Sequence, residues 1–242
     1  MDMINLLTRL GPRSLLEAIK RRVWSTHRAC GLRCSPDTVR EPRRASVAVR
    51  MERAAGSAVV ADLKHELADA TSDDSVELVN RLRFCEQGVE VPYVARSDSG
   101  DAIYLQWLVS DGDQHLLHKA MPHLFPVLAD GEFLVEGAYT FAAFRRMGVM
   151  SDGMYQLVAN AQALGATSVL TYVSFENVGS LRGCAAVGFE LDHVRVTTQR
   201  MGRRRSTYIP CDEEASRAWR HAVSRERAAG ATSGAALENP TP

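Results

Sequence analysis

The sequence predicts an α/β fold built around a mixed β-sheet. A strand at 132–140, a helix at 150–164 and a strand at 168–175 follow one another at short spacing, as the apolar periodicity indicates. Such a βαβ unit makes its two strands parallel, because the helix carries the chain back before the second strand begins. Two further strands, at 91–97 and 102–110, flank the turn residues DSGD and predict an antiparallel hairpin.

Composition places the chain among ordinary globular proteins. The 242 residues, 45% hydrophobic and 24% charged, exclude a disordered chain, a collagen and a coiled-coil rod. We expect one core of about 150–170 residues with appendages. The sequence has no apolar run of about 18 residues and no secretory pattern at its start, so we expect neither a transmembrane helix nor a signal peptide. Five scattered cysteines indicate reduced thiols and a cytoplasmic location.

Residues 1–44 are predicted to be a basic helical leader followed by a linker. Apolar residues within 4–29 recur at helical spacing opposite lysine and arginine, and residues 30–43 are rich in proline and charge. Such a helix either lies on a membrane surface or packs on the domain. Residues 1–53 carry 12 basic and 5 acidic side chains, whereas residues 54–199 carry 9 and 19. The basic segment therefore suits an anionic partner, nucleic acid or lipid, or the acidic core of its own chain.

A single domain is predicted over residues 45–211. Its first elements are a strand at 45–51, which alternates in polarity, and helices near 58–67 and 75–85, the second capped by Ser75. The other predicted elements are a short helix and loop at 114–130, a helix at 177–187, a strand at 189–200 and a last hairpin strand in MGRRRSTYIP. An exposed last hairpin would offer a surface for a homodimer.

The C-terminal segment, 212–242, is predicted to lie outside that domain. Residues 212–228 have a helical pattern, and the composition from Ala229 onwards is typical of disordered chain.

The loop FAAFRRMGVM at 141–150 is the most informative segment. It joins a strand to a helix, and the free N–H groups and the dipole at a helix N-terminus together attract an anion. Arg145 and Arg146 add positive charge, and Gly148 lacks the Cβ that would keep a phosphate at a distance. Taken alone, the loop is equally consistent with an ordinary turn.

A second informative segment begins at Asn177, directly after a buried strand. Asn177 is placed to cap the short helix that follows, and Gly188-Phe189 lead from that helix into the next strand. Taken alone, this segment is a capped helix with a tight exit.

Together, over roughly residues 45–208, the two segments resemble the GCN5-related N-acetyltransferase superfamily. The family's loop pattern is Arg/Gln-x-x-Gly-x-Gly/Ala. Its later pattern is Asn-x-x-Ser/Ala, with a tyrosine seven residues after the Asn and Gly-Phe shortly beyond. The resemblance implies a mostly antiparallel twisted sheet with a central parallel pair of splayed strands and helices on both faces. The positions of this chain that correspond to the two patterns are Arg145, Gly148 and Met150 in the loop, and Asn177, Ser180, Cys184, Gly188 and Phe189 later.

The resemblance also implies acetyl-CoA as cosubstrate, with no metal. In the family, loop amides hold the pyrophosphate and the pantetheine arm lies between the two splayed strands. The acetyl group then passes directly to the amine of an acceptor in a ternary complex, here a small molecule such as an amino sugar. Nucleic acid is not an expected partner. The cofactor-binding residues implied are Thr140, Arg145, Arg146, Met147, Gly148, Val149, Met150, Asn177 and Ser180.

The candidate catalytic residues are Glu136 and Cys184. An amine must lose a proton before it attacks, and a carboxylate can accept it. Glu136 lies mid-strand beside a glycine, Glu132 shares its face as the reserve base, and Tyr139 has the opposite parity and is expected to pack. Cys184 stands where the family often has a tyrosine acid. A thiol can donate a proton, or a buried cysteine can simply pack as a small apolar side chain.

Three positions depart from the family pattern. Arg146 and Met150 replace small residues of the loop, and Cys184 replaces the tyrosine. These departures support an alternative, a catalytically degenerate CoA-binding module with a regulatory or scaffolding role. His115, His118 and His123 are close in sequence, but the predicted chemistry needs no metal and we do not assign them as ligands.

Overall fold

The computed structural model describes residues 24–89, 92–201 and 203–234, which form one mixed sheet covered by helices on both faces. The strands are β1 (Trp24–Cys34), β2 (Met51–Arg53), β3 (Pro92–Arg96), β4 (Ala102–Val109), β5 (Glu132–Thr140), β6 (Ser168–Ser174), β7 (Glu190–Arg200) and β8 (Arg203–Pro210). The helices are α1 (Gly56–Asp69), α2 (Ser72–Glu86), α3 (Gln114–Ala120), α4 (Val149–Ala163), α5 (Val178–Val187) and α6 (Glu213–Gly234).

The sheet order is β2-β3-β4-β5-β6-β1-β7-β8. The β5–β6 pair is parallel and the other described pairs are antiparallel. The predicted βαβ unit, the hairpin of β3 and β4 and the mostly antiparallel sheet with its central parallel pair are therefore confirmed. Of the described helices, each is too short or too polar to span a bilayer.

Strand β1 corrects the prediction for the start of the chain. The helix expected up to residue 29 and the linker expected from residue 30 are wrong over 24–34, which pair with β6 on one side and β7 on the other. Alternate residues Cys30, Leu32 and Cys34 enter the core, so this segment has the period of a strand. The predicted helix over residues 4–23 lies outside the described residues.

Smaller corrections concern element boundaries. Of the strand predicted at 45–51, only its last residue is in a strand, because residues 35–50 cross from β1 to the far edge of the sheet. The cap of α2 is Thr71, whose side chain accepts a hydrogen bond from the Asp74 amide, and not Ser75. Helix α6 continues to Gly234, so disorder from Ala229 is wrong as far as that residue.

Two hydrophobic clusters cover the two faces of the sheet. One contains α4 and α5 together with Cys30, Leu32 and Val135, and we call its side of the sheet the α4 face. The other contains α1, α2 and α3 together with Leu134 and Trp107, and we call its side the α2 face. Because neighbouring residues of a regular strand point to opposite faces, the β5 residues from Glu132 to Glu136 can be assigned to a face by their parity.

Candidate functional site

The site lies where β5 and β6 separate. Their parallel pairing covers only Glu132–Ser168, Phe133–Val169 and Leu134–Leu170. Beyond these pairs β5 stays bonded to β4 as far as Thr140, and β6 stays bonded to β1 as far as Ser174. An opening therefore forms between residues 135–140 of β5 and 171–174 of β6, and we call it the wedge.

A β-bulge at Gly137 shapes the β5 side of the wedge. The pairing with β4 shifts between Leu105 and Trp107, and Gly137 has a φ of 69°. Arg81 of α2 fixes the bulge, because its Nε donates to the Gly137 carbonyl at 2.8 Å and its Nη2 donates to the next carbonyl. The bulge brings Tyr139 into the cluster on the α2 face. The prediction that Tyr139 points to the face opposite to that of Glu136 is therefore wrong.

Glu136 stands at the mouth of the wedge with one oxygen unused. The residue is half-buried, yet its Oε2 is shielded from solvent and has no hydrogen-bond partner among the described residues. Burial raises the pKa of this carboxyl, and the attraction of Arg195 and Arg81 opposes the rise without reversing it. A carboxylate whose pKa is raised in this way holds a proton more strongly than an exposed glutamate does, which suits a base.

Beyond the wedge, β6 and β7 contribute a group of polar side chains that meet over Gly31 of β1 and that the sequence analysis missed. The Tyr172 hydroxyl lies 3.1 Å from His193 Nε2, and His193 Nδ1 lies 2.7 Å from Asp192. The Arg195 guanidinium carbon lies 4.2 Å from the centre of the Tyr172 ring, and its buried Nη1 finds no partner in the described part of the chain. Among the described residues, Glu136 thus has an unused acceptor, and Arg195, whose charge acts on the Glu136 carboxyl, has an unused donor.

The loop after β5 forms the predicted helix N-terminus. Gly148 has a φ of 79° and precedes α4, and no side chain in the described ranges caps the helix. The first N–H groups of α4 are consequently available to an anion, as the sequence predicts. Arg146, with a φ of 65°, is exposed and has no partner among the residues that the structure describes.

The Arg145 side chain is hydrogen-bonded to neighbouring residues. Its guanidinium bonds both carboxylate oxygens of Asp74, at 2.8 and 3.0 Å, and donates to the Thr140 carbonyl and the Tyr139 hydroxyl at 3.2 Å. The bonds from Arg145 are the main reason that the pKa of Asp74 falls below its usual range. The residue therefore joins the loop to α2, and a role in phosphate binding for it stays a prediction.

Two contacts narrow the approach to α4. The Ser46 amide donates to the Met147 carbonyl at 2.9 Å, and a Cβ on Gly148 would lie 3.3 Å from Ala45 Cα. On the adjoining side Met150 packs against α5, where a Cβ on Gly183 would lie 2.5 Å from its Sδ. The large side chain noted in the sequence thus occupies space between the two helices.

The remaining predicted residues are dispersed. The Asn177 side chain accepts from the Ser180 amide at 3.1 Å and caps α5. Cys184 is fully buried in the core of the α4 face, and burial raises its pKa to about 12. Glu132 is paired with Arg33 at 2.5 Å. Within the described ranges, no three His, Cys, Asp or Glu residues are grouped as a metal site.

Comparison with known proteins identifies the fold. The chain is similar to a GCN5-related glucosamine N-acetyltransferase region of a fungal multi-domain GH3 β-N-acetylglucosaminidase, with 12% identity and a TM-score of 0.55 over 77% of this chain and 22% of that one. The chain has the GCN5-related N-acetyltransferase fold.

Two further solved structures are similar at lower scores. A GCN5-related N-acetyltransferase from Sphaerobacter thermophilus is 12% identical, with a TM-score of 0.47 over 84% of this chain and 59% of that one. An acetyltransferase from Colwellia psychrerythraea is 11% identical, with a TM-score of 0.48 over 78% and 62%. The chain thus spans less than two thirds of each of these three proteins. No family model and no curated protein matches the sequence.

Proposed function

We propose that this chain is an N-acetyltransferase that moves the acetyl group of acetyl-CoA to a primary amine. The observation that carries the proposal is the unpartnered, solvent-shielded Oε2 of Glu136 at the point where β5 leaves β6. In an acetyltransferase fold, a free carboxylate at this opening supplies the base that amine acylation requires.

The features around the wedge are compatible with coenzyme A. Its diphosphate would lie at the uncapped N-terminus of α4, near Gly148 and Arg146. Its pantetheine arm would lie along residues 135–140 of β5, which have no strand partner on the β6 side and can bond its amides. Met150 would turn away from Gly183, which a flexible thioether side chain can do.

Each residue then has a defined part in the reaction. Glu136 accepts a proton from the acceptor amine, whose nitrogen attacks the thioester carbonyl carbon. A carbon–nitrogen bond forms, the carbon–sulfur bond breaks, and the electron pair leaves on sulfur. The raised pKa of Glu136 increases its basicity, which favours the proton transfer.

The acceptor we propose is a small-molecule amine, with an amino sugar as the first to test. The fungal neighbour is described as a glucosamine N-acetyltransferase region. The buried Nη1 of Arg195, whose charge acts on the Glu136 carboxyl, is an unused donor among the described residues, which suits an acceptor that carries an oxygen near its amine.

A second candidate is a CoA-binding module that does not turn over. Two observations favour this candidate. Met150 packs against Gly183 and occupies space between α4 and α5, and Cys184 is fully buried and far from solvent.

The test uses the full chain in two measurements. Calorimetry with acetyl-CoA reports binding, and thiol release with glucosamine, spermidine, lysine and a dipeptide reports transfer. Glu136→Gln should bind acetyl-CoA normally and lose transfer at least 100-fold, the lower end of what a general base contributes. Glu190→Gln, at an exposed position on β7, is the matched control and should behave as wild type.

The outcomes separate the candidates. Binding of acetyl-CoA together with transfer that depends on Glu136 supports the enzyme. Binding without transfer to any amine supports the CoA-binding module that does not turn over. No heat with acetyl-CoA overturns both candidates.

A further inference from the structure

The guanidinium of Arg195, on β7, makes no hydrogen bond and no ion pair among the described residues. The residue is half-buried, and its Nη1 is shielded from solvent. A guanidinium carries five N–H donors and a permanent positive charge, and a shielded donor without an acceptor costs free energy. Arg81 and Arg145, by contrast, donate to carbonyl and carboxylate oxygens of their neighbours. Arg195 therefore has the donors for an acceptor that the described part of the chain does not supply.

Two aromatic rings hold the Arg195 side chain in place. Its guanidinium carbon lies 4.2 Å from the centre of the Tyr172 ring and 5.5 Å from the centre of the Phe125 ring. Phe125 is buried in the segment between α3 and β5, and its ring centre lies 6.3 Å from that of Tyr172. Contacts of this kind use the faces of the rings and leave the N–H groups of the guanidinium free. Arg195 is thus positioned without using its donors.

Arg195 and Glu136 project from the same face of the sheet. Arg195 pairs in register with Ala29, which belongs to the cluster on the α2 face. Glu136 has the parity of Leu134, which belongs to the same cluster. Burial raises the pKa of Glu136, and among the charged groups Arg195 opposes that rise most strongly. The two charges therefore interact, although no ion pair within the described ranges joins them.

A carboxylate and a guanidinium that both lack a partner suit a ligand that carries both charges. A primary amine arrives mostly as an ammonium ion, which the Glu136 carboxylate attracts before it accepts the proton. An anionic group on the same molecule is attracted to Arg195, whose planar fork matches two oxygens of a carboxylate or a phosphate. A neutral acceptor would leave the Arg195 charge without a counter-charge once Glu136 is protonated.

We infer that the acceptor is an anionic amine, a molecule with a carboxylate or a phosphate beside its primary amine, and that Arg195 selects it. The inference rests on the proposed function and narrows the acceptor from any primary amine to this class. An amino sugar phosphate and an amino acid both belong to it. Arg195 binds the anionic group, and the proton transfer to Glu136 and the attack on the thioester proceed as described above.

The first experiment compares amines in pairs that differ in one anionic group. Glucosamine is compared with glucosamine 6-phosphate, and phenethylamine with phenylalanine. For at least one pair, the wild type should have a kcat/KM at least about 10-fold higher for the anionic member, the contribution of one hydrogen bond between charged groups. The pair that shows the preference distinguishes a phosphate from a carboxylate. Equal kcat/KM values within both pairs would overturn the inference.

The second experiment repeats the comparison with Arg195→Gln, which should reduce the preference to less than about 3-fold. The preference is a ratio within each pair, so an effect of the variant on folding or on Glu136 changes both members alike and cancels. Arg205→Gln, at an exposed position on β8, is the matched control and should keep the wild-type ratio. A preference that persists in Arg195→Gln would assign the anionic group to another residue and reject the role of Arg195.

The third experiment measures binding without turnover. Calorimetry of the full chain with coenzyme A present should give a Kd for the preferred anionic amine that is at least about 10-fold weaker in Arg195→Gln than in the wild type. An equal Kd in the two proteins would contradict the inference. Transfer that depends on Glu136 without any preference within the pairs would reject the acceptor class alone. No transfer by the wild type to any of these amines would reject the proposed function, and the acceptor class with it.

Discussion

The α-carbon of Gly137 faces the indole of Trp107 so closely that a Cβ at Gly137 would lie 2.7 Å from Cε3. Trp107 is held there by its stack on Phe84, with centroids 5.2 Å apart, and by a 3.2 Å hydrogen bond from its Nε1 to the Val89 carbonyl. The indole therefore cannot move aside easily, and the bulge that follows Glu136 requires glycine.

We expect Gly137→Ala to destabilise the protein by about 1–3 kcal/mol, because the added methyl meets a packed ring and φ is positive. Urea unfolding measures the change. Gly100→Ala is the control, since its φ is 91° but no atom lies within 4 Å of the added Cβ. Gly100→Ala should lower the free energy of unfolding only by the amount that a positive φ costs an alanine. If both variants lose the same free energy of unfolding, the Trp107 indole must move without cost to make room for the methyl group.

Transfer should depend on pH through Glu136. The base acts in its ionised form, and burial raises its pKa, so kcat/KM should rise with pH through an acid limb that lies above the usual range for a carboxyl. A pH–rate profile measures this limb. A limb at the position of an ordinary glutamate would contradict the role of Glu136.

The raised pKa of Glu136 should also make the stability of the protein depend on pH. A carboxyl whose pKa is higher in the folded state stabilises the fold only at low pH, and the contribution is lost as the pH rises through the folded value. Glu136→Gln should therefore raise Tm at pH 8 and leave it unchanged at pH 4, measured by calorimetry. A lower Tm at pH 8 would mean that attraction to Arg195 and Arg81 outweighs desolvation.

The parts of the fold with strong local patterns were predictable from the sequence. β5 was predicted with its observed bounds because EFLVEGAYT is flanked by a turn and a glycine-containing loop. α4 and α5 follow from their periodicity and from Asn177, which caps as predicted. Glu136 was selected from its place beside Gly137, and the structure adds that its Oε2 has no hydrogen-bond partner within the part of the chain that it describes.

The parts that depend on long-range pairing were not predictable in this way. The sequence of β1 contains Gly31 and follows a helix-like pattern, and only its pairing with both β6 and β7 makes it a central strand. The row Tyr172, His193 and Asp192 exists because those strands meet. A local signal was present, since Tyr172 has the parity of the buried Leu170, but nothing local indicated its partner.

The two neighbouring arginines of the loop should have different roles. Arg145 is paired with Asp74, with side chains 39% and 24% exposed, so a double-mutant cycle with alanine should give a coupling of about 0.2–1 kcal/mol. Because the pKa of Asp74 is lowered, the coupling should be present above the usual carboxyl range and disappear as the pH falls through the lowered value. Urea unfolding of the four proteins at several pH values measures it.

Arg146→Ala, by contrast, should leave stability unchanged and weaken acetyl-CoA binding several-fold, since Arg146 is exposed beside the N-terminus of α4. Calorimetry of both single variants compares them directly. Weaker binding in Arg145→Ala than in Arg146→Ala would reverse the assignment.

Met150 decides how easily the space between α4 and α5 opens. Its Sδ would lie 2.5 Å from a Cβ on Gly183, so the thioether rests on the bare backbone of α5. Met150→Ala should lower the free energy of unfolding by about 1–2 kcal/mol, below the range for a fully buried methionine, because the side chain is only half-buried. If Met150 must turn away before the ligand enters, the variant no longer needs that rearrangement, and acetyl-CoA should bind several-fold more tightly. Met201→Ala, 82% exposed in the turn after β7, is the control and should change neither quantity. Unchanged or weaker binding in Met150→Ala would mean that the thioether lines the path of the ligand instead of closing it.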